Sequence, residues 1–189
     1  LRMQKDVPLV IPEVNPDHMK LVECQSWRKK SGGFVVTNPN CSAIGLVLAL
    51  SPLQKLFGIE TVLAVTMQAV SGAGYPGVAS LDILGNVIPY IGKEEEKMEE
   101  ETRKLLGTLN GAGIAPADFA MSAQCNRVAV EDGHTESISV KLRKKTNAEQ
   151  VIEAWSSFRG VPQELKLPSA PAEPVRYMTA TDRPQPRLD

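Results

Sequence analysis

Residues 34–56 read FVVTNPNCSAIGLVLALSPLQKL: a short apolar run, a polar turn Thr37-Asn38-Pro39-Asn40-Cys41-Ser42, then a helical run that is apolar nearly all round. A helix without a polar face is a buried one, so the turn delivers the chain directly into the core. It also leaves Cys41 at or near a helix N-terminus, where unpaired backbone N–H groups and the positive end of the helix dipole stabilise a thiolate. A free cysteine is equally at home as a small buried hydrophobe. At this point both readings of Cys41 stand.

Upstream, residues 7–14 (VPLVIPEV) read as a buried strand, with Pro8 and Pro12 arguing for an edge or terminal position. Asn15-Pro16-Asp17 reads as an N-cap followed by proline at the first helical position, opening a short turn on which His18 is expected at the surface or in a capping role. Residues 29–33 (KKSGG) read as a polar loop and residues 33–37 as a short strand.

Downstream, residues 59–70 (IETVLAVTMQAV) combine β-branched residues with partial alternation, as an interior strand does. They run into Ser71-Gly72-Ala73-Gly74, which is either an ordinary turn or one through which a backbone approaches a ligand closely. Residues 76–89 carry no clear pattern. Residues 93–106 (KEEEKMEEETRKLL) form the plainest helix, ended by Gly107, with Glu99 and Arg103, and Glu100 and Lys104, at the spacing of helix ion pairs. Taken alone, its charges describe a solvated face.

Residues 111–116 read as a loop. Residues 119–130 and 137–142 read as two strands joined in hairpin fashion through Glu131-Asp132-Gly133-His134. A capped amphipathic helix follows over 147–158, with Val151, Ile152, Trp155 and Phe158 in its apolar stripe, then a Pro/Ala linker over 167–174, a last strand over 175–179 and an extended tail, RPQPR.

Composition narrows the function class. The 189 residues suffice for one domain, or one domain plus part of another. A charged content of 23% with a net charge of -1 argues against a nucleic-acid surface or a polybasic membrane patch. No apolar run approaches the roughly 18 to 20 residues of a membrane span, and no signal-peptide pattern opens the chain; a soluble cytoplasmic protein is the default expectation. Cys24, Cys41 and Cys125 are odd in number and lack CxxC spacing, and His18 has no partner at ligand spacing, so neither a disulfide framework nor a metal site is expected. A chain that opens on Leu1 and closes just after a Pro-rich segment is expected to be a piece of a longer protein.

Cys41, Gln68, Arg127 and His134 each fall at the end of a strand or in the turn after one, where side chains converge on one sheet edge. They are the types a thiolate acyl-transfer site needs: a nucleophile, a histidine that exchanges protons near neutrality, an amide that holds an acyl oxygen or positions the base, and an arginine that clamps a carboxylate. At these residues the chain resembles the aspartate-semialdehyde dehydrogenase family, in particular its archaeal and fungal branch. The resemblance rests on Asn38-Pro39-Asn40-Cys41-Ser42, Gln68 in MQAVSGAG, the segment EEEKMEEETRK, and RVAVEDGH from Arg127 to His134, in matching order across about 100 residues. Ala129 stands where the family usually has proline.

The resemblance implies roles residue by residue. Cys41 matches the nucleophile that becomes a thioacyl-enzyme, His134 the general acid/base, and Gln68 the residue that orients the acyl group. Arg127 matches the arginine that binds the substrate α-carboxylate, while Glu94 and Lys97 match the pair contacting the substrate amino group and the phosphate. Asn40, Ser71 and Gly72 match positions that approach the nicotinamide and phosphate parts of NADP.

The implied reaction is NADPH-dependent conversion of L-aspartyl 4-phosphate to aspartate 4-semialdehyde with release of phosphate, in threonine, methionine and lysine biosynthesis. The implied assembly is a homodimer or homotetramer. No GxGxxG-type fingerprint is present, so the expected organisation is a remnant of the nucleotide-binding domain over 1–40 and a catalytic and dimerisation domain over 41–189, with the rest of the nucleotide domain outside this chain. The expected fold is α+β, a mixed and mostly antiparallel sheet with helices packed largely on one face, similar to the C-terminal domain of glyceraldehyde-phosphate-type dehydrogenases. Its open sheet face is expected to meet a second copy. Two alternatives remain: a malonyl-CoA-type acyl reductase of the same architecture, against which the carboxylate of Glu94 argues, and a non-catalytic dimerisation module in which Cys41 is only a core residue.

Overall fold

The computed structural model describes residues 1–111 and 113–189. The buried helix emerges as α2, Cys41–Phe57, preceded by a 3-10 segment Pro16–Cys24 and a short α1, Ser26–Ser31. Gly58, in a left-handed conformation, stops α2 and turns the chain into β1, Ile59–Gln68. There follow a 3-10 turn Val70–Ala73, α3 (Ser80–Ile83), β2 (Val87–Ile88), α4 (Glu94–Leu105), β3 (Thr108–Asn110), β4 (Gly113–Ala115), β5 (Ala120–Val128), β6 (Thr135–Leu142), α5 (Ala148–Ser156) and α6 (Val161–Glu164).

The sheet is mixed, in the order β2-β5-β1-β6, with β3 and β4 forming a separate antiparallel pair. β1 lies at its centre, parallel to β5 and antiparallel to β6. β5 and β6 are therefore not a hairpin. They flank β1, and residues 129–134 cross over its C-terminal end. Alternation along β1 sends Ile59, Val62, Ala64, Thr66 and Gln68 to one face, where Val62 and Ala64 pack with Leu46 and Leu50 of α2, Met98 of α4, and Ala123 and Cys125 of β5. Full burial of side chains such as Leu46, Leu50 and Met98 contributes about 2 kcal/mol each. On the other face Leu63 is 54% exposed and Val65 37%, so helices cover one side only, as expected.

α4 is not a solvated helix. β2 pairs only with the C-terminal end of β5, and α4 covers the edge of β5 beyond it: Glu99 accepts the N–H of Ala123 and Glu95 that of Cys125, both at 3.1 Å. Neither expected ion pair along the helix forms. Glu99 has turned to the sheet, and Lys104 donates to the carbonyl oxygens of Arg2, Gln4 and Val7 at 2.6–3.0 Å.

Other sequence expectations are corrected. Residues 7–14 and 33–37 meet only in one parallel bridge, Leu9 with Thr37, because the prolines leave too few N–H groups for a ladder. Residues 29–31 belong to α1, and 113–115 form β4. Residues 175–179 make no strand. His18 is buried, its Nδ1 2.8 Å from Asn15 Nδ2 and its Nε2 3.2 Å from Gly107 O, while Asn15 spends its side chain on Leu9 and Ile11 rather than on a helix cap. Asn147 does cap α5, in a reciprocal box with Gln150, and Trp155 Nε1 docks that helix on Ala49 O of α2. Among the described residues no helix is long and apolar enough to cross a membrane.

The N-terminal segment hangs on Lys104. Replacing Lys104 by methionine leaves three carbonyls without their charged donor and is expected to cost about 2 to 3 kcal/mol in urea unfolding. Hydrogen exchange should quicken over residues 1–9 while α2 and β1 keep their protection. A loss below about 0.5 kcal/mol would show that water replaces the ammonium group without penalty.

Candidate active site

The three strand ends meet as the topology requires. Gln68, last in β1, is in register with Arg127 of β5, and Met67 with Thr135, the residue after His134. The N-terminus of α2 arrives from the core side and completes the edge.

Cys41 is the first residue of α2 and is exposed, which separates it from buried Cys125. Asn40 caps the helix, its Oδ1 accepting from the N–H groups of Ser42 and Ala43. Cys41 Sγ lies 3.1 Å from His134 Nε2. On the far side of the ring, the N–H of Ala69 donates to Nδ1 at 3.1 Å, which fixes the proton of the neutral ring on Nε2, toward the sulfur. Burial first, then the Arg127 guanidinium, hold the His134 pKa below its ordinary value, against the opposing pull of Glu94. The ring is thus neutral at pH 7, an Nε2–H donor to a thiolate or to an oxyanion formed beside it.

Arg127 is buried and donates from Nη1 to Ala69 O at 2.7 Å. One residue, Ala69, therefore orients the histidine through its N–H and the arginine through its carbonyl. Gln68 is also buried, and its amide donates to Ser42 Oγ at 2.8 Å, bracing the first turn of α2. Glu94 opens α4: its Oε2 accepts from Asn40 Nδ2 at 2.6 Å and its Oε1 from Lys97 Nζ at 2.8 Å. Burial works against its charged form, but the Lys97 and Asn40 donors outweigh it and its pKa lies below the ordinary carboxyl value.

Ser71 and Gly72 sit in the exposed 3-10 turn after β1, which is tied to the crossover by Val70 N to Val130 O and Ser71 N to Glu131 O. A Cβ on Gly72 would stand 2.9 Å from His134 Cε1 and 3.0 Å from Arg127 Nη1; only glycine lets this backbone lie against both groups. Cys41, Gly45, Gly133, His134 and Glu136 line an open depression of about 460 Å³. All nine residues expected at the site are gathered at this edge, though Asn40 is buried with its side chain engaged inside the chain. Among the described residues no group of three or more His, Cys, Asp or Glu is placed to hold a metal.

Two carboxylates escaped the sequence reading. Glu101, 2% exposed, accepts the backbone N–H of Asn40 at 2.6 Å and the guanidinium of Arg2 at 3.3 Å. Glu136 lines the depression beside Cys41. Each was marked by its phase: Glu101 falls on the stripe of Met98 and Leu105, and Glu136 alternates with Ile138, Val140 and Leu142. A charge on an apolar face is the pattern that finds both.

Comparison with known proteins converges on one family. The family described as semialdehyde dehydrogenase, dimerisation domain, matches residues 50–189. An aspartate-semialdehyde dehydrogenase of Methanothermobacter thermautotrophicus is 52% identical over 189 residues, covering 100% of this chain and 54% of that protein. The crystal structure of the Candida albicans aspartate-semialdehyde dehydrogenase with NADP superposes with a TM-score of 0.89 at 42% identity, covering 100% of this chain and 55% of the other. A Vibrio cholerae aspartate-semialdehyde dehydrogenase II complexed with ASA gives a TM-score of 0.66 at 30% identity, covering 81% of this chain and 49% of the other. The chain spans about half the length of the curated relatives it matches. On the strength of the match over residues 50–189, the chain belongs to the semialdehyde dehydrogenase dimerisation-domain family.

Proposed function

We propose that this chain carries the catalytic machinery of an NADP-dependent aspartate-semialdehyde dehydrogenase, residues 41–189 being its catalytic and dimerisation domain and residues 1–40 a remnant of the nucleotide-binding domain with its connection. The observation that carries the reading is the 3.1 Å contact between Cys41 Sγ and His134 Nε2 at a capped helix N-terminus, with Arg127 and Glu94 held beside it.

The nucleophile is the Cys41 sulfur, set at the N-terminus of α2 and 3.1 Å from His134 Nε2. The sulfur attacks the C4 carbonyl of L-aspartyl 4-phosphate, a C–S bond forms, the bond to the phosphate oxygen breaks, and phosphate leaves with its electron pair. A thioester accepts a hydride far more readily than a carboxylate does. NADPH, when bound, supplies that hydride. Ser71, exposed in the turn after β1, and Gly72, whose backbone lies beside His134, would help hold the cofactor. After reduction the oxyanion faces His134 Nε2–H, the C–S bond breaks, and aspartate 4-semialdehyde departs as Cys41 regains its thiolate. Arg127 takes the substrate α-carboxylate, Glu94 its ammonium group, and Lys97 the phosphate. The pathway served is the one to threonine, methionine and lysine. The exposed Leu63 and Val65 support pairing of the open sheet face with a second copy, in a dimer or a tetramer of such dimers.

In the full-length protein, phosphate-dependent reduction of NADP by aspartate semialdehyde is expected, and Cys41→Ala should abolish it. A folded full-length protein inert with this substrate, and also with malonate semialdehyde and CoA, would return Cys41 to the non-catalytic reading. Arg127→Lys keeps the charge but loses the planar fork; it is expected to raise KM for aspartate semialdehyde at least about tenfold, and an unchanged KM would remove Arg127 from the substrate site. The 189-residue chain alone is expected to be inactive and to bind NADP weakly or not at all, and tight binding in a calorimetric titration would contradict that.

A further inference from the structure

Reading the depression as a thiolate acyl-transfer site leaves one of its walls without a role, and the inference rests on that reading. We propose that Glu136 is a positioning residue of this site, whose proton occupancy sets how readily Cys41 gives up its own proton.

Glu136 occupies a core-facing position. Its strand sends Ile138, Val140 and Leu142 into the same apolar row, and a carboxyl there gains nothing from packing. It lines the depression with Cys41 and His134, the histidine standing two residues earlier, just before β6 begins. Its Oε2 is buried without a hydrogen-bond partner, as is Oγ1 of Thr66, the residue directly opposite it on β1. Orphaned buried polar atoms are rare in native proteins; a carboxyl oxygen left so in an apolar row, on the wall that also holds Cys41, describes a carboxyl kept for its proton. Burial pushes the Glu136 carboxyl up to about 7.

The charged neighbours give the sign. From α2 the group shares the depression with the Cys41 thiol, and from the end of the crossover with His134. From β5 comes the Cys125 thiol, which burial pushes up to about 11 with the negative fields of Glu94, Glu95 and Glu136 acting in the same direction. Protonated, Glu136 adds no charge to a site that must hold a thiolate and an acyl phosphate together. Ionised, it adds a negative charge beside the thiolate and opposes its formation.

The test uses the full-length protein and two readouts that require no turnover. Carbon-13 NMR titration of labelled glutamate should give Glu136 a midpoint near 7; a midpoint in the ordinary carboxyl range, about 4 to 5, overturns the proposal. Alkylation of Cys41 by uncharged chloroacetamide, resolved by peptide mass spectrometry, is compared between wild type and Glu136→Gln, which mimics the protonated acid. The rates should agree within about twofold at pH 6, and the variant should be about fivefold faster at pH 8.5. Superimposable profiles overturn the proposal.

If the variant does not fold, the wild-type alkylation profile decides: it must flatten at the NMR midpoint of Glu136, and a profile without that inflection overturns the proposal as well. An inactive protein that still shows both signatures would overturn the dehydrogenase reading and leave the control of Cys41 by Glu136 in place.

Discussion

The carboxylate of Glu101, buried in the interior, accepts the backbone N–H of the residue that precedes the nucleophile, and the geometry of the whole edge depends on that bond. An ionised carboxyl is costly to bury unless charge-assisted donors replace its water; here the donors are Asn40 N and Arg2 Nη1. Two turns earlier on the same helix, Glu94 takes the side chain of the same asparagine. Asn40 is thereby held by its backbone and by its side-chain amide, and its remaining oxygen caps α2. Three hydrogen-bonding groups of one residue are fixed before Cys41 begins the helix.

A second constraint acts from the sheet. Because β1 stands between β5 and β6, the crossover must pass over the end of β1, and its last residues deliver His134 to the sulfur. Ala69 sits under that crossing and locks both ring and guanidinium through its peptide groups. Backbone groups move less than side chains, so orientation set by a peptide is rigid in a way that a second side chain would not supply. The missing side chain of Gly72 completes the arrangement by letting the returning turn close down on both groups.

Much of this was legible in the residues. The all-apolar helix after NPNCS, the alternation of β1 and the Asn147 cap each state their structure locally, and four motifs in order located the site. What was not legible depends on partners distant in sequence. Alternation over 120–128 and 135–142 looks the same whether the two strands pair with each other or flank a third, so the crossover was read as a hairpin. The apolar residues 7–14 lacked a partner with which to form a ladder. Nothing local to His18 announces that Asn15 and Gly107 close around it and bury it. The run of glutamates in α4 has the composition of a solvated face, although Glu95, Glu99 and Glu101 each find a backbone N–H from elsewhere in the chain.

The double hold on Asn40 also bears on how this chain can change length. A residue inserted into an α-helix turns everything beyond it by about 100°. One extra residue between Glu94 and Glu101 would leave one of the two carboxylates facing Asn40 and swing the other away, and a deletion would do the same in the opposite sense. Exposed Glu96 and Glu100 can be exchanged for other residues without disturbing either bond. α4 is therefore a measuring rod: its surface is free to drift in composition, while the seven-residue interval between its two ends is fixed by a single asparagine on another helix.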